Sequence, residues 1–146
     1  MGDSEIVEKE LSYQIMQAAF EVYNQLGLGF PEAIYEEAMA TRELPACGFE
    51  IERQKRVVVN YKGKPLAEFV LDLVVNKRII LELKAVAEIA RIHEQQARSY
   101  LKATGLPLAI IINFGAERVQ SSRVVNTKGK AKLPPRLSKP RNLLIK

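Results

Sequence analysis

The chain has 146 residues, 47% hydrophobic and 27% charged, which fits one soluble domain with a core and excludes a disordered chain. One cysteine, Cys47, and one histidine, His93, exclude a disulfide framework, multi-cysteine zinc sites and histidine-pair chemistry. Any active site must therefore be built from carboxylates, lysines and amides.

The net charge of +5 is uneven: residues 117–146 hold nine of the 22 Lys/Arg and one of the 17 acids, leaving 1–116 mildly acidic. A basic tail suits a polyanionic partner or simple solvation. The longest nearly apolar stretch, 106–114, is far below the ~20 residues of a membrane span. The acidic start MGDSEIVEKE lacks an apolar signal core, so a cytoplasmic protein without a membrane partner is expected.

Residues 8–26 carry Leu11, Ile15, Ala18, Ala19, Val22 and Leu26 at three- and four-residue spacing, which predicts a helix stopped by Gly27. A second helix starts near Pro31, with Glu32, Glu36 and Glu37 favourable for its dipole and Ile34, Ala38 and Met39 on its buried side. Pro45 ends or kinks it. From 51 to 83 the pattern turns to strands: one ending at Tyr61, a turn at 62–64, a second over 69–75 and a third over 78–84. Residues 88–104 read as a helix stopped by Gly105. The apolar run 108–114 suits a strand buried on both faces, and a short strand follows near 119–125. The expected architecture is α/β, a mixed sheet in which an antiparallel meander gains a parallel strand after a crossover helix, flanked by helices. Residues 1–127 form the single domain, and 128–146, with Pro134, Pro135 and Pro140, a basic tail.

Three charged residues interrupt the strands. Asp72 is the only polar residue in 69–75, and Glu82 and Lys84 share one face of the third strand. They lie on a solvent-facing side with Lys84 neutralising an acid, or they converge into a site. Register separates the two. A strict two-residue loop at Asn76–Lys77 pairs Asp72 with Leu81, whereas an odd loop or a bulge pairs Asp72 with Glu82. In the odd register two carboxylates suit Mg²⁺, which keeps several waters, and Lys84 orients a water or stabilises developing charge.

His93, Gln96 and Tyr100 share one face of their helix, as a solvent-facing stripe or as contacts to the site. His93 is a phosphate donor or an ordinary helix N-terminal residue. Glu32 serves the helix dipole or the site, and Tyr35 is a core residue with a bonded hydroxyl or a site support. Cys47 reads as a small buried or neutral residue rather than a nucleophile.

Asp72 followed by Glu82-Leu83-Lys84 resembles the D-x(n)-ExK signature of the PD-(D/E)XK nuclease superfamily. Gly29-Phe30-Pro31-Glu32-Ala33-Ile34-Tyr35 is similar to the naming motif of the GxxExxY family within it. His93-Glu94-Gln95-Gln96 with Tyr100 resembles that family's helix and the Gln-x-x-x-Tyr motif of RecB-type nucleases, and 101–105 and 112–115 resemble the GxxExxY family's consensus. Pro45 departs from it. The resemblance implies a restriction-endonuclease-like core, with Asp72 and Glu82 as ligands of Mg²⁺ (or Mn²⁺), Lys84 as catalytic lysine and Glu32 as an additional acid. It also implies that Gln96 and Tyr100 support the site or touch nucleic acid. The expected function is a nuclease, with DNA favoured as substrate and an RNA-processing enzyme using the same site as a further reading. The competing reading is a non-catalytic nucleic-acid-binding or protein-interaction module on the same scaffold. A homodimer would enlarge the limited nucleic-acid surface of so small a body.

Overall fold

The computed structural model describes residues 8–127, so the expectations for 128–146 lie outside the described residues. Helix α1, Lys9–Leu26, buries Ile15, Ala18, Ala19 and Val22 along one stripe. It stops at Gly27, whose φ of +73° is open to glycine and strained for other residues.

Helix α2, Glu32–Ala38, runs through a π-helical turn, Met39–Glu43, into a short α3, Leu44–Ala46. The break expected at Pro45 takes this form. Pro45 has no N–H to give to the preceding turn, and the turn before it widens so that the Leu44 N–H reaches Met39 O. The buried side of α2 differs from expectation: Tyr35 and Met39 are fully buried, Ala38 is half-buried and Ile34 is 42% exposed. Tyr35 stacks on Phe114 with ring centroids 4.7 Å apart, and turning it inward leaves Ile34, ~100° round the helix, facing water.

Strands β1 (Ile51–Tyr61), β2 (Lys64–Val75), β3 (Ile79–Lys84), β4 (Leu108–Asn113) and β5 (Gln120–Val125) form one sheet in the order β1-β2-β3-β4-β5. All neighbouring pairs are antiparallel except β3 and β4, which are parallel. The chain crosses between these two through α4, Arg91–Thr104. That helix starts three residues later than the sequence pattern predicts. The His93 ring Nδ1 accepts the Ala90 N–H at 2.9 Å and fixes the start there.

The sheet is covered on both sides. Leu73, Val75, Leu81, Leu83, Ile110 and Ile112 pack towards α1 and α2. Leu71, Val74, Ile80, Ala109 and Ile111 pack against Ala97 and Leu101 of α4. Each of the larger side chains contributes ~1.5–3 kcal/mol by leaving water. Among the described residues no helix is long and apolar enough to cross a membrane.

Candidate active site

The register of the β2–β3 hairpin decides whether the charged residues meet. Asn76 and Lys77 both adopt positive φ, and the Arg78 N–H closes the turn on Val75 O at 2.9 Å. The loop is therefore odd, Asn76, Lys77 and Arg78, with Val75 facing Ile79, Val74 facing Ile80 and Leu73 facing Leu81. The next row sets Asp72 against Glu82.

At that row the backbone ladder gives way to side chains. The Leu83 N–H donates to the Asp72 carboxylate at 2.9 Å, and the Asp72 N–H donates to the Glu82 carboxylate at 3.4 Å. The other neighbour breaks as well. Gln54 of β1, opposite Asp72, has φ +49° and drops out of a pairing that resumes on either side of it. Leu73 and Val75 face α1, whereas Leu71 faces α4, so the alternation of β2 slips across Asp72. A ladder broken on both sides of one residue frees that residue's carboxylate from a row that is otherwise core.

The electrostatics follow from the burial. Glu82 is buried, and desolvation together with the Asp72 charge pushes its carboxyl up to about 8, against an ordinary 4.5. Burial also raises the Asp72 carboxyl, partly offset by the Leu83 N–H. Glu32 opens α2 at the rim, and its carboxyl is raised by partial shielding and then by Asp72. The positive charge of Lys84 lowers all three, so its ammonium is the cation that faces the cluster. Tyr100 of α4 lies within reach of Glu82 and Asp72; burial and then these charges raise its phenol.

Asp72 and Glu82 therefore share one row, and Lys84, Glu32 and Tyr100 lie near enough to exchange electrostatic influence with it. The others do not join them directly. Gln96 is exposed and its side chain makes no hydrogen bond among the described residues, and His93 caps α4. Tyr35 is buried, its hydroxyl donating to Gly27 O at 2.6 Å and accepting the Phe30 N–H at 3.2 Å. It pins the loop that delivers Glu32. Cys47 is exposed, contrary to the buried alternative.

Two residues matter more than their sequence context signals. Glu36, one helical turn after Glu32, raises the carboxyls of both Glu32 and Asp72. It is held by Arg53 at 3.4 Å and by the Gln54 amide at 3.1 Å. The i,i+4 spacing of the two glutamates was its only signal. Asn113, fully buried at the end of β4, clamps the segment after Lys84. Its Oδ1 accepts the Val86 N–H at 2.9 Å and the Gly115 N–H at 3.0 Å, while its Nδ2 donates to Val86 O at 2.9 Å. Gly115 is required by close approach, since a Cβ there would meet Val86 backbone atoms at 2.4 Å.

Among the described residues no group of three His, Cys, Asp or Glu side chains is gathered tightly enough to enclose a metal ion. The donor set is the Asp72–Glu82 pair, with no ion pair to either acid among the described residues. Two hard oxygen donors at one open row suit a divalent cation that retains water.

A family model described as PD-(D/E)XK nuclease superfamily matches residues 9–124. The chain belongs to this superfamily. Its parallel β3–β4 pair and antiparallel β1–β3 meander are consistent with a restriction-endonuclease-like core. A solved structure titled "Crystal structure of SSO0001" aligns at 18% identity with a TM-score of 0.44, over 52% of this chain and 41% of that one. The chain thus spans well under two thirds of that protein's length. No curated protein matches.

Proposed function

We propose that the protein is a divalent-metal-dependent nuclease that hydrolyses phosphodiester bonds in DNA. The observation that carries this reading is the odd hairpin register, which brings Asp72 and Glu82 to one row with crossed backbone–carboxylate hydrogen bonds. Asp72 and Glu82 are the residues that would hold Mg²⁺ or Mn²⁺. When bound, such an ion neutralises phosphate charge and makes water acidic enough to attack.

The chain's own groups supply the rest. Lys84 offers an ammonium to the attacking water or to charge developing on the phosphate oxygens. Glu32 extends the acidic cluster directly or through water. The Leu83 N–H and the Asp72 N–H hold the carboxylates in a fixed direction, so little reorganisation is needed at the moment of reaction. The similarity of 29–35 to the GxxExxY motif supports the role of Glu32, whose loop Tyr35 pins. The acid cluster repels DNA, and the basic residues of 128–146 compensate, so binding weakens steeply with salt.

The test is cleavage of a panel of DNA and RNA shapes in Mg²⁺, Mn²⁺ and EDTA, with calorimetric metal titration of the native chain and Asp72→Ala. Metal-dependent DNA cleavage lost in Lys84→Ala and Asp72→Ala supports the reading. Nucleic-acid binding with no cleavage and no Asp72-dependent metal uptake replaces it with the non-catalytic module. Cleavage of RNA alone moves the substrate. Truncation after Thr127 lowers DNA affinity at low salt and leaves metal uptake intact; unchanged affinity removes the tail's role.

A further inference from the structure

The β1–β2 hairpin outruns the rest of the sheet. β2 pairs with β3 only from Leu73 to Val75, yet with β1 from Val75 out to Lys64, so the outer half of the hairpin projects as an arm. Between this arm and α4 lies a cavity of about 600 Å³, within the range of small-ligand pockets. Phe69 and Tyr100 line it, stacked at 4.6 Å with their planes 14° apart. Asn60 and Ser99 add polar groups, and Lys102 and Ala103 stand on the α4 side.

We propose that this groove receives an unpaired base of single-stranded DNA and makes single strands the preferred substrate of the adjacent site. The inference rests on the nuclease reading above. Its chemistry combines a flat aromatic surface, short polar groups for a base edge or sugar, and cations for the backbone. These are the components that bind single strands with little sequence preference. Three lysines flank the path: Lys102 at the cavity, and Lys62 and Lys64 at the arm's tip. None of them makes an ion pair among the described residues, whereas Arg53, Lys55 and Arg56 at the inner arm do. Tyr100 joins groove to site, because it both lines the cavity and feels the charges of Glu82 and Asp72. A base in a duplex has both faces covered by its neighbours, so only an unstacked base can use the Phe69–Tyr100 surface.

The test is fluorescence anisotropy in EDTA, with labelled oligothymidylate and a blunt duplex of equal length, on the full chain. The expected result is about tenfold tighter binding of oligothymidylate. Ala103→Trp, at an exposed position, fills the groove and removes most of that preference while leaving duplex binding unchanged; Lys102→Glu also weakens single-strand binding. Equal or tighter duplex binding by the native chain overturns the proposal, as does an Ala103→Trp chain that binds oligothymidylate like the native one. Tighter binding of oligouridylate overturns the assignment to DNA. A single-strand preference without cleavage in Mg²⁺ or Mn²⁺ keeps the groove and sinks the nuclease reading, whereas metal-dependent cleavage without that preference sinks the groove alone.

Discussion

Leu73 and Asp72 are neighbours on β2 and live in different environments. Leu73 is fully buried in a regular row, paired to Arg53 on one side and Leu81 on the other. Asp72 sits one step along, where the β1–β2 ladder skips a single pair, the β2–β3 ladder ends, and the carboxylates of Asp72 and Glu82 take over the hydrogen bonds between β2 and β3. Stability resides in the first row, and the proposed chemistry uses the second. In the first row the side chains fill the core, whereas in the second the break in the ladder lets two carboxylates hydrogen-bond across the strands.

Substitutions sharpen that contrast. Leu81→Ala should have the largest effect on the fold, a loss of about 2–5 kcal/mol in denaturant unfolding, while cleavage per folded molecule is retained. Lys84→Ala should do the opposite, lowering kcat by about 10²–10³-fold with the unfolding midpoint nearly unchanged. A comparable loss of stability in both variants would erase the distinction between the rows.

Glu82 gives the contrast a pH dependence. An unfolded glutamate releases its proton near 4.5, while in the fold Glu82 keeps it to about 8. The folded state therefore binds more protons across that window, and stability without metal must fall as pH rises from 4.5 to 8. Asp72 and Glu32, also raised, add the same sign. Glu82→Gln should remove a stability change on the order of 5 kcal/mol across the window, read from unfolding in EDTA.

The smallest effect is expected at Asn113, which touches neither carboxylate. Asn113→Ala strands the Val86 N–H and C=O, costing about 1–3 kcal/mol. Because the clamped segment directly follows Lys84, kcat should fall more than KM rises. Unchanged kcat in a folded Asn113→Ala chain would show that Lys84 holds its place without the clamp.

Much of the fold was legible because it is local. The apolar stripe of α1 expresses the helical period, and the apolar runs of β2 and β4 mark buried strands, so both signals arise between neighbouring residues alone. The Asp72, Glu82 and Lys84 candidates were legible for the same reason, as charges interrupting apolar strands. Ile34 misled because the one-residue difference between it and Tyr35 is settled by a partner far along the chain, Phe114. The start of α4 misled because His93 caps it from within.

Sequence alone determined the order of elements, their periods and the set of side chains available for chemistry. Tertiary structure decided the loop geometry at Asn76–Arg78, the broken ladder at Gln54 and Asp72, and the clamps made by Tyr35 and Asn113. The physical reason is range: periodicity arises between residues a few positions apart, whereas register and the facing of a carboxylate depend on which distant groups satisfy each N–H and fill each space.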